Sequence, residues 1–304
     1  MKQTTFVTGA TGFVGFHLAK RLSEQGYLVH CLVRKSSNTT RLKNLKNIKL
    51  HTADLTDFKK LHQTLSKINP QFIFHCAASG IHGGIEDSPK VTLESNLVGT
   101  LNLLLAAEPI KYQLFVNTGS SSEYGIRESK MKEGDDCHPE SVYAIAKYGV
   151  SLFCSQYAKS HNKPVITLRI FSPYGPLDSP DRFISYLVKA VKNNEKISIE
   201  NPNAVRDYIY IDDVISAYLQ CIKKRKKIRG EIINIGSGKQ IRVQEVIDIL
   251  KKNLKIQPKL ILKSKKRRYE SKKWEADITK ASKLLNWKPL VSIEEGLKKT
   301  LQAL

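Results

Sequence analysis

The chain has 304 residues, of which 41% are hydrophobic, and a formal net charge of +22 at pH 7. This length and composition are those of a globular protein with a large core, and they exclude a disordered or fibrous chain. No apolar run approaches the roughly 18 residues of a membrane-spanning helix, and the amino terminus lacks a signal-peptide pattern. Five scattered cysteines without a C-x-x-C pair argue against disulfides or a zinc site, so we expect a cytoplasmic protein and no metal.

The charge comes from 50 Lys and Arg residues against 28 Asp and Glu residues. Such a positive field attracts anionic substrates or polyanions. The densest basic cluster lies between Lys251 and Lys273, but lysines are spread over the whole chain. That spread favours a compositional bias over a functional basic face, so nucleic-acid binding is disfavoured.

The first half of the chain alternates short apolar runs with amphipathic stretches. Strands are predicted at TTFVTG, LVHCLV, IKLHTA, FIFHCAA and QLFVNTG, because these runs are short and rich in β-branched or aromatic residues. Helices are predicted over Phe13–Gln25, Asp57–Ile68 and Lys90–Ala107, with Asp57 capping the second. This alternation predicts βαβ units and an α/β fold with a doubly wound parallel sheet.

The second half begins with a helical pattern over Tyr143–Ser160 and the strand VITLRIF. After Tyr174-Gly175-Pro176 the pattern of predicted elements changes. Strands are predicted at RDYIYI and IRGEIINIG, and helices over Asp213–Lys223, Val243–Lys255 and Ile293–Leu304. We therefore expect a larger part over residues 1–171 and a smaller α/β lobe over 172–304, with interleaved boundaries.

A glycine-rich segment, Thr8–Gly15, follows the first strand and opens the first helix. Glycines permit a tight turn and close approach of the backbone to a pyrophosphate, and the helix amino terminus attracts phosphates. Because the motif stands between a strand and a helix at the start of a βαβ series, it predicts a Rossmann-like dinucleotide site. The residues expected to bind the cofactor there are Gly9, Thr11, Gly12, Phe13, Val14 and Gly15.

The end of the second strand bears on the choice of dinucleotide. An acidic residue there binds the ribose of NAD, whereas an arginine suits the 2′-phosphate of NADP. The chain has Arg34 and no acid at this point, so NADP is favoured and NAD is the alternative. Asp54 and Leu55, after the third strand, are expected near the adenine.

A Tyr-x-x-x-Lys pair and a serine carry the predicted chemistry. Tyr143 and Lys147 are four residues apart and share one face of a helix. A lysine cation one turn away, with a positive nicotinamide, would stabilise the tyrosinate and make Tyr143 a proton shuttle. Ser120 ends the strand QLFVNTG at the edge where ligands bind in such sheets, and its hydroxyl can bond a substrate oxygen.

Taken together, these motifs resemble the extended short-chain dehydrogenases/reductases, in the family of NAD(P)-dependent nucleotide-sugar epimerases and dehydratases. The resemblance runs nearly end to end, through TGATGFVG, ADLTD, FHCAA, SNLVGT, VNTGSSSEYG, YAIAK, LRIFSPYGP, RDYIYIDDV, NIGSG and LLNWKP in the order of the family. It implies catalytic roles for Ser120, Tyr143 and Lys147, the last two also contacting the cofactor. It further implies cofactor contacts at Asp54, Ala77, Ala78 and Asn96, and substrate contacts at Ser121, Ser122, Arg206 and Arg267. Family members commonly form homodimers through the helices that bear Asn96 and Tyr143.

Two departures from the family pattern matter. Dehydratases of the family carry acidic residues around the positions of Ser121 and Ser122, whereas here the nearby acid is Glu123, one place further on. A 4,6-dehydratase needs that carboxylate to remove a sugar-ring proton, so dehydration is disfavoured. The asparagine that the family has before the Y-G-P segment is Ser172 here, which puts one sugar contact in doubt.

The resemblance predicts an oxidoreductase acting on a nucleotide-diphosphate sugar, either as a 4-epimerase or as a 4-ketoreductase. The alternatives are a 4,6-dehydratase, a reductase of non-sugar carbonyls, and a catalytically lapsed polyanion-binding protein. His75 and His82 are left unassigned because a single histidine is more often structural. Trp287 is expected in the core of the second lobe.

Overall fold

The structure is a computed structural model that describes residues 2–82, 85–254, 260–262 and 271–303. Its strands are β1 (Thr4–Thr8), β2 (Leu28–Val33), β3 (Ile48–Thr52), β4 (Phe72–His75), β5 (Ile81–His82), β6 (Ile85–Glu86), β7 (Leu114–Ser120), β8 (Val165–Ile170), β9 (Ser172–Tyr174), β10 (Ile197–Ile199), β11 (Val205–Arg206), β12 (Tyr208–Tyr210), β13 (Ile232–Ile235), β14 (Ile241–Arg242) and β15 (Leu260–Leu262). Its α-helices are α1 (Phe13–Glu24), α2 (Thr40–Lys43), α3 (Phe58–Ile68), α4 (Pro89–Leu93), α5 (Gly99–Ala106), α6 (Val142–Ser160), α7 (Phe183–Lys192), α8 (Ile211–Lys224), α9 (Val243–Leu254), α10 (Thr279–Leu285) and α11 (Ile293–Gln302).

Seven strands form one parallel sheet in the order β3-β2-β1-β4-β7-β8-β13. The direction of winding reverses between β1 and β4, which is the point where an open α/β sheet leaves a crevice outside the carboxyl ends of its strands. The predicted doubly wound, Rossmann-like sheet is therefore confirmed. The order also places the glycine segment after β1 beside the end of β4, with β7 as the next strand beyond β4.

The predicted helices agree with α1, α3, α6, α8, α9 and α11 to within a few residues at each end. Asp57 caps α3 as expected, by accepting a hydrogen bond of 3.0 Å from the Lys60 backbone N–H. The helix predicted over Lys90–Ala107 is confirmed as a helical stretch without a gap from Pro89 to Ala106, but its middle part, Glu94–Val98, is a π-helical turn that was not predicted. Helices α2, α7 and α10 were not predicted from the sequence.

The two halves of the chain share one core. β13 pairs with β8 in the central sheet, and α8 packs on α1, so residues after 172 complete the sheet of the first half. The remaining pairs of described strands are short: β5 with β6, β9 with β12, β10 with β15, and β11 with β14. A lobe boundary near residue 172 stays a prediction, and the interleaving comes from the position of β13.

Trp287 lies in the core, as predicted, with 4% of its surface exposed. Its indole N–H donates to the Asp213 carbonyl at 3.1 Å and to the Ser216 hydroxyl at 2.7 Å, so the buried donor is satisfied. All five cysteines are free thiols, and Cys31, Cys154 and Cys221 are buried. Among the helices of the described residues, none combines the length and apolar character needed to cross a membrane.

Candidate active site

The glycine segment is held by close backbone packing. Gly9 has a φ of +69°, and a Cβ there would lie 2.5 Å from the Ala77 backbone nitrogen, while a Cβ on Gly15 would lie 2.2 Å from the Gly9 carbonyl oxygen. Only glycine permits this approach of β1, α1 and the segment after β4. Gly12 precedes α1 without a side-chain cap, and the first turn of α1 holds no acidic residue. The backbone amide groups at the start of α1 and the dipole of this helix therefore fit the diphosphate of a dinucleotide.

At the far end of β2 and β3 the surface opens into a cleft of about 570 Å³, lined by Arg34, Lys35, Ser36, Thr52, Ala53, Asp54, Asp57 and Lys60. Asp54 accepts hydrogen bonds from the Thr56 backbone N–H at 2.9 Å and hydroxyl at 2.7 Å. The backbone donor, together with the hydroxyl and the nearby Arg34 charge, lowers the pKa of Asp54. Leu55 packs beside Gly99, where a Cβ would lie 2.9 Å from the Leu55 Cβ. The cleft therefore offers both cations and carboxylates to the end of a dinucleotide.

The segment after β4 lies beside the glycine segment, on the side away from the cleft. The Ala77 backbone N–H donates to the Thr8 hydroxyl at 3.3 Å, and Ala78 next to it is exposed. Asn96, on the π-helical turn, is buried and bonds both backbone groups of Ser79, accepting at 3.0 Å and donating at 2.5 Å. In this structure Asn96 shapes the Ala77–Ser79 loop. Direct contact between Asn96 and a cofactor stays a prediction.

His75 is a structural residue in this network. Its Nδ1 lies 2.7 Å from the Thr8 hydroxyl and its Nε2 lies 2.8 Å from the Thr100 hydroxyl, so both ring nitrogens are satisfied. Burial, with a smaller contribution from the Lys147 charge, lowers the pKa of His75 to about 3. The neutral ring links β1, β4 and α5 directly beneath the crevice. The side chain of His82 lies outside what the structure describes.

Tyr143 and Lys147 share one face of α6, as predicted. The Lys147 ammonium donates to the Thr118 carbonyl at 2.9 Å and lies 5.9 Å from the centre of the Tyr143 ring. Lys147 is buried, whereas Tyr143 is half-buried. A Cβ on Gly80 would lie 2.4 Å from the Tyr143 ring, so the loop after β4 closes over one face of the tyrosine.

Ser120 ends β7 and caps a short 3₁₀ turn, Ser121–Tyr124. Its hydroxyl lies 2.8 Å from the Ser122 hydroxyl and accepts from the Ser122 backbone N–H at 3.2 Å. Ser121 is buried and Ser122 is half-buried. α6 packs against both β7 and this turn, so the serine and the Tyr-Lys pair occupy the same edge of the sheet.

Glu123 does not face the crevice. Its side chain is fully buried, and its carboxylate bonds the Ser120 backbone N–H at 2.7 Å and the Arg169 Nε–H at 2.8 Å. Both oxygens are therefore engaged away from any ligand. The buried position of Glu123 agrees with the expectation from the sequence that dehydration is disfavoured.

Arg206, one of the two predicted substrate arginines, lies on β11. Arg206 is half-buried, donates to the Val205 carbonyl at 2.6 Å, and stacks over the Trp274 ring with 5.1 Å from its guanidinium carbon to the ring centre. Beside it, the buried Asp207 accepts from the backbone N–H groups of Ser237, Gly238 and Ala276 at 2.6, 3.0 and 2.9 Å. Burial raises the pKa of Asp207 to about 6, although these donors oppose the shift. Arg267 lies outside the described residues, as does most of the basic 251–273 stretch.

Sequence reasoning missed four residues that organise the site. The Thr118 carbonyl accepts a hydrogen bond from Lys147, and the missing side chain of Gly80 leaves space for the Tyr143 ring. Asp207 accepts hydrogen bonds from two loops beside Arg206, and Arg169 pairs with Glu123. The glycine shortly after FHCAA and the aspartate after Arg206 were visible signals. The roles of Thr118 and Arg169 depend on contacts between residues far apart in the chain.

Comparison with known proteins assigns the family. The family model described as GDP-mannose 4,6 dehydratase matches residues 6–300. A UDP-glucuronate 4-epimerase of Thermodesulfobacterium geofontis is 32% identical over 314 residues, spanning 97% of this chain and 94% of the relative.

Two solved structures are similar over almost the whole chain. One is a UDP-glucose 4-epimerase of Thermotoga maritima with UDP-glucose, with a TM-score of 0.91, 28% identity, and coverage of 99% of this chain and 98% of the other. The second is a UDP-glucuronic acid 4-epimerase of Bacillus cereus in complex with UDP-glucuronic acid and NAD, with a TM-score of 0.89 and the same identity and coverage. The chain belongs to the extended short-chain dehydrogenase/reductase family of nucleotide-sugar epimerases and dehydratases, and it is an enzyme of that family.

Proposed function

We propose that the chain is an NAD-dependent 4-epimerase of a UDP-sugar, with a UDP-hexuronate as the first substrate to test. The observation that carries the proposal is the placing of Ser120, Tyr143 and Lys147 around the carboxyl end of β7, beside the glycine segment. The whole-length similarity to a UDP-glucuronate 4-epimerase supports the substrate class. The NAD in the Bacillus cereus complex favours NAD over the NADP expected from Arg34.

In this proposal each residue has a separate task. A bound NAD supplies the nicotinamide carbon that takes the hydride from C4 of the sugar and returns it to the opposite face. Tyr143 accepts the proton of the 4-hydroxyl as the hydride leaves and gives it back during reduction. Lys147, anchored on Thr118, stabilises the tyrosinate by its charge. Ser120 donates a hydrogen bond to the same sugar oxygen, and Arg206 pairs with the diphosphate.

The proposed cofactor site follows the glycine segment, the cleft and the loop after β4. In it, the amide groups at the start of α1 hold the diphosphate, while the Asp54-Leu55 turn faces the adenine. Arg34 lies at the rim of the cleft, where its charge is offset by Asp54 and Asp57. The other cofactor contacts proposed are those at Ala77, Ala78, Asn96, Tyr143 and Lys147.

A second candidate is a 4-ketoreductase that consumes NADPH. The observation in its favour is the cationic rim of the cleft, where Arg34, Lys35 and Lys60 could pair with a 2′-phosphate. A 4,6-dehydratase is not proposed, because the acid nearest Ser120 is the buried Glu123.

The deciding experiment supplies the purified protein with UDP-glucuronate and no added dinucleotide. We expect formation of the C4 epimer, detected by NMR, and release of NAD when the protein is denatured. Because the hydride returns to the same carbon, no deuterium from heavy water should enter C4. Turnover of a 4-keto sugar only with added NADPH would replace this proposal with the ketoreductase.

We further propose a homodimer and a cytoplasmic location. Val91, Val98 and Leu105 recur every seven residues across α4, the π-helical turn and α5, and Ile145 and Leu152 do so along α6; all five side chains are 42–52% exposed. Two neighbouring helical segments therefore present exposed apolar side chains, which suits packing against a second copy. The five free thiols suit a reducing compartment. Sedimentation should report a dimer that Leu152→Glu dissociates, whereas Leu290→Glu, at the 74% exposed Leu290, should not.

A further inference from the structure

A buried ion pair lies directly behind the serine turn. Glu123 and Arg169 are 0% and 1% exposed, and among the ion pairs between described residues no other has both partners this deeply buried. Burying two charges costs much of what their attraction returns, and a pair of apolar side chains of similar size often stabilises a protein as well. Stability alone is therefore a weak reason for charges at this place.

The second carboxylate oxygen of Glu123 contacts the backbone of the serine. Glu123 Oε2 accepts from Arg169 Nε at 2.8 Å, and Oε1 accepts from the Ser120 N–H at 2.7 Å. A Cβ on Gly119 would lie 2.6 Å from Oε1, so a glycine beside Ser120 leaves room for the carboxylate. The carboxylate thus fixes the point where β7 ends and the Ser120 side chain turns toward Ser122.

The other side of the pair is braced by the second half of the chain. The Arg169 guanidinium lies 4.4 Å from the centre of the Tyr124 ring, and the Tyr124 hydroxyl donates to Asn234 Oδ1 at 2.8 Å. Asn234 belongs to β13, and its amide donates to the Met131 carbonyl at 3.1 Å. Strands β7, β8 and β13 are therefore joined through one polar cluster beneath Ser120. Burial raises the pKa of Glu123, while Arg169 and the Ser120 N–H oppose that shift.

We propose that Glu123, held by Arg169, is a positioning residue that sets the orientation of the Ser120 hydroxyl toward the sugar. This inference rests on the proposed function for the role of Ser120. It assigns Glu123 no contact with the substrate, because both carboxylate oxygens are engaged within the protein. The negative charge itself is dispensable in this view, and the acceptor for the Ser120 N–H is the essential part.

Two variants separate positioning from stability. Glu123→Gln keeps an oxygen for the Ser120 N–H but leaves Arg169 without its counter-charge, so the melting temperature should fall while kcat stays within about threefold of wild type. The double variant Glu123→Leu with Arg169→Met removes the acceptor and both charges. Its kcat should fall about tenfold to a hundredfold with little loss of stability. KM for the UDP-sugar and the content of bound NAD should stay unchanged in both.

A double-mutant cycle with Ser120→Ala tests whether the effect passes through the serine. Once Ser120 is alanine, the Leu and Met changes should lower kcat by less than about twofold more, because there is no hydroxyl left to orient. Additive losses would overturn the proposal, as would kcat values that follow melting temperature across the variants.

A measurement that needs no activity keeps this inference separate from the proposed function. Hydrogen exchange of the peptide covering residues 114–124 should speed up in the Leu and Met double variant and stay near wild type in Glu123→Gln. Unchanged exchange in the double variant would overturn the anchoring of Ser120. A wild-type protein that does not epimerise UDP-sugars, or a fully active Ser120→Ala, would instead count against the proposed function.

Discussion

The edge that bears Ser120 and Tyr143 is built differently from the segment that bears Arg206. β7 is a strand of seven residues paired on both sides, and its end is joined to α6 through Lys147 and to β8 through Glu123 and Arg169. Arg206 stands on a two-residue strand, β11, which pairs only with the equally short β14 among the described strands. The loops beside Arg206 are joined by the buried carboxylate of Asp207, which accepts hydrogen bonds from the backbone N–H groups of Ser237 and Ala276.

This difference matches the two demands on such an enzyme. Proton and hydride transfer need reacting groups held within a fraction of an ångström, which long paired strands and buried hydrogen bonds provide. A diphosphate is recognised mainly by charge, and a guanidinium on short strands can follow it. The comparison therefore predicts that changes around Ser120 and Tyr143 lower turnover, whereas changes at Arg206 weaken substrate binding.

The largest effect is expected for Tyr143→Phe. Loss of the proton shuttle should reduce kcat about 10²-fold or more, while bound NAD is retained because the ring still fills its place against Gly80. Steady-state rates and dinucleotide content measure the two parts. Tyr148→Phe on the same helix is the matched control. Near-wild-type turnover of Tyr143→Phe would show that Tyr143 is not the proton shuttle.

Arg206→Met should act on binding. Losing a charge-assisted contact to the diphosphate should raise KM about tenfold to a hundredfold and change kcat much less. Arg242→Met is the control, since Arg242 is exposed and pairs with Glu245. A fall in kcat at constant KM would contradict the division of tasks between the two regions.

The buried His75 should make the free energy of unfolding of the protein sensitive to acid. Its pKa is about 3 in the folded protein, against 6.5 for a histidine side chain in water. Between these values the unfolded chain binds more protons, so the free energy of unfolding falls as pH falls. The stability advantage of wild type over His75→Gln should shrink by about 2–3 kcal/mol between pH 7 and pH 4.5. Urea denaturation at several pH values measures this, with His161→Gln as control. A constant difference would show that His75 accepts a proton without cost.

The smallest effect is expected for Arg34→Ala. The affinity for NAD should change by less than about fivefold, since an exposed charge contributes at most about 1 kcal/mol. Lys35→Ala on the same cleft is the control. Tighter binding of NADPH than NADH by wild type, lost in Arg34→Ala, would restore the NADP assignment and favour the ketoreductase.

Several features were predictable because their causes are local. The segment from Gly9 to Gly15 carries its own turn and helix start, Asp57 caps the helix that follows it, and Tyr143 with Lys147 needs only one helical turn. The π-helical turn within the predicted Lys90–Ala107 helix was not predicted, and Asn96 on this turn bonds Ser79, seventeen residues before it.

By itself the sequence determined the alternation of strands and helices, the glycine segment between β1 and α1, and the Tyr143-Lys147 pair on one helix face, because each depends on residues close together in the chain. The tertiary structure alone decided how these residues are supported. Arg169 reaches Glu123 across 46 positions, and Asn234 reaches Tyr124 across 110. Such contacts depend on which strands become neighbours in the sheet. The pairing of β7, β8 and β13 follows from burial of the whole core, and it places Glu123 where its carboxylate bonds Arg169 and the Ser120 N–H.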